Sequence, residues 1–192
     1  MKHGQSFKTM AITINGNGTL TGVSVGGLPD GIVDTDMLAA NAVATAKIAD
    51  SAVTGPKRGA GAVLQVVSDI DAGQFTTSSN SWQWQGLDAS ITPSSASSKI
   101  FIQVGLAMDG QGNQAFITLY RGTDNLGGTE GFGAAQNSGP RCISGLTYLD
   151  SPNTTSSVQY RVAVRNGNNS TTIECPPWSA GKQAIVLMEI QG

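Results

Sequence analysis

Few residues in this chain of 192 amino acids could perform acid–base or nucleophilic chemistry. The single histidine is His3, near the first residue, so we expect neither a Ser-His or Cys-His relay nor a histidine metal site. The closest carboxylate pairs are Asp34 with Asp36 and Asp69 with Asp71. Capping or solvated turns explain both pairs, and a calcium site would need a denser series of oxygen ligands. We therefore expect no metal, no cofactor and no enzymatic activity, although two carboxylates remote in sequence could still hydrolyse a glycoside.

Two tryptophans separated by one residue form the strongest candidate binding motif. Trp82 and Trp84 flank Gln83 and would share one face of a strand. One interpretation packs both indoles into the core. The other makes them a platform on which a sugar ring stacks, with Gln83 and Gln85 donating hydrogen bonds at its edge. Trp178, after two prolines, is the next candidate for such a stacking residue.

The composition excludes several classes of function. Charged residues make up 12 % of the chain, against about 25 % in ordinary soluble domains. The net charge is −2 and the eleven basic residues are scattered, which argues against nucleic-acid binding. No apolar run approaches the roughly 20 residues of a membrane span, so we expect no membrane insertion. With so few charges a strongly ionic ligand is poorly served, and a surface glycan is the better candidate.

The two cysteines, Cys142 and Cys175, are too few for a disulfide framework. The first residues are polar and show no signal-peptide pattern, so we expect a reducing environment. Both cysteines are therefore predicted to be free thiols.

Three zones follow one another along the chain: 1–27, 28–60 and 61–192. In the first zone the two Asn-Gly pairs of Asn15–Gly18 lie between short β-branched runs and predict a hairpin or tight turns. Glycines and one proline in Gly55–Gly61 mark the boundary before the third zone.

The middle zone, 28–60, contains a ten-residue repeat. It aligns Val33 with Val43 and Val53, and Leu38 with Ile48. A continuous helix is disfavoured, because ten residues would rotate the apolar stripe by some 80° per repeat. We predict instead one short helical turn per unit, joined by extended steps. Such short units cannot bury their own apolar residues, so we expect these five side chains to contact other copies of the chain.

The third zone alternates as β-strands do. Lys99–Ala107 and Ser157–Arg165 place every second residue inward, and Gln183–Ile190 is apolar on both faces, as expected of a central or interface strand. In Ala62–Ile70, the residues Leu64, Val66 and Ile70 fall on one face. Further strands are predicted at Gln114–Arg121, Gly73–Thr77, Ser81–Gln85, Ser90–Ile91, Ile143–Tyr148 and Thr171–Cys175. Eight to ten short strands separated by turns predict a mainly β fold, most simply a jelly-roll β-sandwich.

Several stretches resemble the fibre and virion structural proteins of tailed bacteriophages, in particular marine and cyanobacterial ones. They are Met10–Gly22, Gly27–Gly31, Ala42–Asp50, Gly61–Val67 and Ile91–Ile100. The resemblance implies a parallel homotrimer located in the virion and assembled in the host cytoplasm. Segment 1–27 would anchor it to other virion proteins, 28–60 would form a trimeric stalk, and 61–192 would face the host or the medium.

Four functions compete at this point. A short tail fibre, with a β-domain that binds host-surface glycans, is slightly favoured over a capsid fibre or decoration (cement) protein. The chain is short for a long tail fibre, which favours either a short fibre or a capsid decoration. A free carbohydrate-binding module would act as a monomer, with the repeat zone as a linker. A polysaccharide depolymerase is disfavoured by the scarcity of catalytic residues.

Overall fold

The computed structural model describes residues 13–14, 20–21, 38, 40, 42–44, 47–49, 52–71, 73–112, 114–136, 142–168, 171–177 and 181–192. The chain divides into two compact units, Met1–Val53 and Thr54–Gly192. The structure is mainly β with almost no helix, as the composition predicted. Within these residues, none of the helices is long and apolar enough to cross a membrane.

The first unit contains a small hairpin. Strand β1 (Thr13–Ile14) pairs antiparallel with β2 (Leu20–Thr21) on either side of Asn15–Gly18. Asn and Gly accept the positive φ angles that tight hairpin turns require. The predicted hairpin is therefore confirmed.

Short turns recur in the part of the repeat that is described. Backbone hydrogen bonds run from Lys47 N to Ala44 O (2.8 Å) and from Ala52 N to Ala49 O (3.0 Å). These i to i+3 bonds close two turns whose first residues are five positions apart. Since much of 28–60 lies outside the described residues, one helical turn per ten residues remains a prediction.

The second unit begins with a four-residue helix and continues as strands. The helix α1 (Gly55–Arg58) has proline in its first positions and is followed by Gly59 at φ +80°, a conformation that side chains rarely adopt. The strands are β3 (Val63–Asp71), β4 (Phe75–Thr77), β5 (Gln83–Ile91), β6 (Lys99–Met108), β7 (Gln114–Arg121), β8 (Asp124–Asn125), β9 (Gly133–Gln136), β10 (Cys142–Asp150), β11 (Val158–Asn166), β12 (Ile173–Cys175) and β13 (Gln183–Ile190).

These strands form antiparallel sheets. The four-stranded sheet has the order β10-β6-β13-β3. The five-stranded sheet has the order β5-β11-β7-β8, with β9 also paired to β7. A small third sheet pairs β12 with β4. The prediction that Gln183–Ile190 is a central strand is confirmed, because β13 lies between β6 and β3.

One hydrophobic cluster receives residues from both larger sheets. β6 contributes Ile100, Ile102, Val104, Leu106 and Met108, and β11 contributes Val158, Tyr160, Val162 and Val164. The inward faces predicted for these two strands are therefore confirmed. Alternate residues point outward, so each sheet also has an outer face that does not contribute to the cluster.

A bulge changes the face that β3 presents. Glu189 pairs with Gln65 but Ile190 pairs with Val63, which leaves Leu64 as an extra residue. Past the bulge, Val67 packs against the core, whereas Val66 and Ile70 are exposed. Val66 and Ile70 share one face, as predicted, and it is the outer one.

Candidate functional site

The repeat residues proposed as an oligomer interface are largely uncovered in the single chain. Leu38, Val43, Ile48 and Val53 are 42 % to 53 % exposed. The fifth residue of the set, Val33, lies outside the described residues. Four large aliphatic side chains at five-residue intervals are thus about half exposed in the described part of the chain.

The two tryptophans lie on the outer face of the five-stranded sheet. Neither belongs to the buried cluster, and Trp84 is 46 % exposed, so the interpretation that packed both into the core is wrong. They belong to a set of six residues that we call the aromatic–arginine face, which consists of Trp82, just before β5, and five residues of β5, β7 and β11: Trp84, Phe116, Tyr120, Arg161 and Arg165. Trp178, the third predicted stacking residue, lies outside the described residues.

Trp84 lies in contact with an arginine and a tyrosine. The guanidinium carbon of Arg161 lies 3.8 Å from the indole centroid, and Tyr120 meets the indole edge-on at 4.7 Å between ring centroids. In register, Trp84 faces Ala163, whose small side chain leaves room for the indole to extend toward β7. A guanidinium is attracted to the electron-rich face of an indole, so Arg161 holds the Trp84 ring in place and covers one of its two faces.

Arg165 contacts two further aromatic residues of the face, Phe116 and Trp82. Its guanidinium carbon lies 3.9 Å from the Phe116 ring centroid and 5.1 Å from that of Trp82. Its Nη2 donates to Glu130 Oε2 at 2.8 Å. A Cβ on Gly131 would come within 2.7 Å of the Trp82 ring. Trp82 is therefore packed beneath the glycine-rich loop, and Trp84 is the more accessible of the two indoles.

A bulge in β5 sets the position of Trp84. Asp88 pairs with Arg161 and Trp84 with Ala163, so Gln85, Gly86 and Leu87 lie opposite the single residue between those partners. Gly86 has φ +107°, where a side chain would be strained.

The predicted role of the two glutamines is wrong. Gln85 is buried on the inner face, where its Oε1 accepts from Leu87 N at 3.3 Å. The Gln83 amide donates to Ser79 Oγ and Ser81 O, at 3.4 and 3.3 Å. The physical reason is strand alternation, because residues between and after two outward tryptophans must point the other way.

The polar groups beside Trp84 come from other strands. Arg161 Nη2 donates to the Gly122 carbonyl at 2.7 Å, and no described carboxylate lies within ion-pair distance of Arg161. Asp88, its neighbour in register, accepts from Gln159 Nε2 at 3.3 Å. One exposed indole with a guanidinium, a carboxylate and an amide nearby can stack a sugar face and hydrogen-bond its hydroxyls.

A buried ionic group lies away from this face and joins the two large sheets. Asp150 of β10 accepts from Arg121 Nη1 of β7 at 3.0 and 3.1 Å, and from Tyr160 Oη of β11 at 2.6 Å. Burial raises the pKa of Tyr160 well above its usual value, and its hydrogen bond to Asp150 raises the pKa further. Asp150 is hydrogen-bonded to both Arg121 and Tyr160, so we infer that the triad has a structural role.

Two further buried groups are titratable. Glu189 accepts from Ser94 N and Oγ, both at 2.7 Å, and from Gln65 Nε2 at 2.7 Å. Burial alone would raise the pKa of Glu189, but the hydrogen bonds, led by that from Ser94, outweigh it and hold the pKa below its usual value. Cys175 is a free, buried cysteine, and burial raises the pKa of its thiol to about 12. A group of three residues able to hold a metal ion does not occur in the described part of the chain.

The sequence-based reasoning missed four members of the aromatic–arginine face. The alternation of Ser157–Arg165 predicts that Arg161 and Arg165 point outward, and their contacts with Trp84 and Trp82 confirm it. The missing information was the strand order. β5, β11 and β7 are neighbours in the sheet but distant in sequence.

The chain matches neither a protein-family model nor a curated protein.

Proposed function

We propose that this protein is a structural component of a tailed-bacteriophage particle, a short parallel homotrimeric fibre with its N-terminal segment on the particle. The observation that carries the proposal is the exposure of Leu38, Val43, Ile48 and Val53. Large aliphatic side chains at a fixed interval cost free energy in water, and neighbouring copies of the same repeat would cover them. The resemblance of the stretches quoted above to phage fibres supports a parallel trimer.

The second unit would form the distal domain of the fibre. Two antiparallel sheets that contribute to one hydrophobic cluster support a β-sandwich, and we propose jelly-roll connections for it. Such a domain presents the outer faces of its sheets to its surroundings.

The distal domain would bind a host-surface glycan at the aromatic–arginine face, centred on Trp84. A single stacked sugar binds weakly, but three copies in one trimer can raise the overall affinity by about 10²- to 10⁴-fold when the geometry allows simultaneous contact. A weak site is thus sufficient for attachment by a trimeric fibre.

The first experiment measures the mass of the full chain in solution by light scattering coupled to size exclusion. We expect the mass of a trimer. Val43→Asp combined with Ile48→Asp would place unpaired charges in the interface and yield monomers, at a cost of several kcal/mol per trimer. Lys47→Asp, at an exposed position of the same segment, is the matched control and should remain trimeric. An unchanged trimer in the double variant would contradict the proposed interface.

The second experiment locates the protein by immunogold labelling of intact particles. Gold at the tail is expected. Gold over the capsid shell would instead identify a capsid fibre or decoration protein, and unlabelled particles would contradict a role in the virion.

A further inference from the structure

The outer face of the four-stranded sheet is apolar. Leu149, Phe101, Met188 and Val66 are in register across β10, β6, β13 and β3 and form one continuous row. Val63 and Ile70, also on β3, extend the apolar surface toward both ends of that strand. Val63, Val66, Leu149 and Ile70 are 48 % to 63 % exposed. We call this surface the apolar face.

The apolar face contains a hollow of about 430 Å³, lined by Ile70, Gly105 and Ala184 among others. Gly145 lies opposite Gly105 in the neighbouring strand. A Cβ on Gly105 would meet no atom within 4 Å. A glycine in a strand interior weakens the strand. Because a larger side chain would fit at Gly105 in the single chain, packing within the chain does not explain why glycine occurs there.

Charge is confined to the ends of this face. Among its described outward-pointing side chains, the charged ones are Lys99, beside Ile190, and Lys182, just before β13. Neutral side chains such as Gln103 and Ser68 occupy the remaining polar positions. Depletion of charge at the centre of a patch is typical of protein–protein interfaces.

We propose that the apolar face is covered by a neighbouring copy of the same chain. Four strands about 4.8 Å apart, with eight or nine residues of about 3.3 Å each, present roughly 500 Å². That area is in the range of the largest apolar patches on monomers, which are often functional. Covered by an equal area of a second copy, it would bury about 1,000 Å² in total, the lower bound for a specific interface.

The chain itself explains why the partner is another copy. Val63 follows Val53 by ten residues, as Val53 follows Val43, so the valine spacing of the repeat continues into β3. This step rests on the proposed function, in which the repeats of neighbouring copies are joined. Copies joined there hold their apolar faces at an effective concentration in the millimolar range, at which even a weak contact forms.

The test compares labelling of two serines in the full chain. Ser68→Cys reports on the apolar face and Ser90→Cys on the outer face of the five-stranded sheet; both serines are exposed strand residues. Maleimide labelling is followed at each site by peptide mass spectrometry, and the mass of the sample is measured in parallel. In the oligomer we expect Ser68→Cys to react roughly tenfold more slowly than Ser90→Cys, the ratio expected if the face opens only transiently.

The outcomes separate the two proposals. An oligomer in which both cysteines react at equal rates overturns the covered face and leaves the joined repeat intact. A monomer overturns both.

A second variant tests the hollow. Gly105→Val fits the single chain, where the space is open, but fills the hollow that a neighbouring copy would enter. We expect the dissociation constant of the oligomer to rise by roughly tenfold or more, while the fold is retained. Gly133→Val, at another strand glycine with open space around it, is the control and should change nothing. An unchanged oligomer with Gly105→Val would contradict occupation of the hollow by another copy.

Discussion

The outer faces of the two large sheets differ although both belong to the same unit. The apolar face of the four-stranded sheet exposes Val66, Ile70 and Leu149. On the five-stranded sheet, Trp84 and Trp82 contact arginine side chains instead. Aliphatic side chains gain free energy only when another apolar surface covers them, whereas a ring stacked on a guanidinium remains compatible with water.

The difference between the two faces shows that the exposed fraction of a side chain does not by itself indicate a binding site. Trp84 and Leu149 have nearly equal exposure, 46 % and 51 %, but different neighbours. We infer that one face is used for assembly and the other for recognition. The predictions below test this division, beginning with the group that holds the two sheets together.

The largest effect is expected at Asp150, which links β10 of one sheet to β7 and β11 of the other. Asp150→Ala leaves the Arg121 guanidinium and the Tyr160 hydroxyl without their shared partner. We expect the free energy of unfolding to fall by about 3–5 kcal/mol, measured by urea denaturation. Asp124→Ala removes the other carboxylate near Arg121. The Asp124 side chain is exposed, and its Oδ2 lies 3.6 Å from Arg121 Nη2. The free energy of unfolding of this control should stay within about 1 kcal/mol of that of the unsubstituted protein. Equal effects would show that the buried triad does not join the sheets.

The next effect concerns Glu189, whose charge lies on the inner side of the sheet that has the apolar outer face. Because the pKa of Glu189 is lower in the folded protein than in the unfolded chain, its contribution is fully present above the unfolded pKa. The contribution is lost as the pH falls through the folded pKa, so stability should decline below about pH 4.5. Glu189→Gln should reduce stability at neutral pH by about 1.5–3 kcal/mol and flatten the acid slope. Unfolding midpoints between pH 3 and 7 measure both effects, and an unchanged acid slope would contradict the assignment.

Much of the fold could be predicted from alternation alone. The inward residues of β6 and β11 repeat every second position, so their buried faces could be assigned without knowledge of neighbouring strands. The buried face of β3 could not be assigned in this way, because the bulge at Leu64 depends on pairing with β13 near the other end of the sequence. A bulge leaves little signal in its own sequence.

The candidate site was less predictable than the fold. Trp82 and Trp84 could be identified from their spacing, but their partners Arg161 and Arg165 are more than seventy residues away in sequence. Only the sheet order places β11 beside β5. Gln83 and Gln85 alternate with the tryptophans along the chain, so strand alternation by itself places them on the face opposite Trp82 and Trp84.

The smallest effect on stability, and the sharpest on function, is expected from Trp84→Ala compared with Leu149→Ala. Both side chains are about half exposed, so neither substitution should leave a large buried cavity. Trp84→Ala loses the stacked Arg161 contact and should lower stability by about 1 kcal/mol. If the aromatic–arginine face binds glycans, Trp84→Ala should abolish adsorption of the trimer to host cells, because the weakening at each site is compounded over three copies. Leu149→Ala should leave adsorption unchanged and weaken only the contact between copies. Adsorption is measured with fluorescently labelled protein on host cells, and oligomer stability by dilution. Were Trp84→Ala to adsorb normally while Leu149→Ala did not, the roles assigned to the two faces would have to be exchanged.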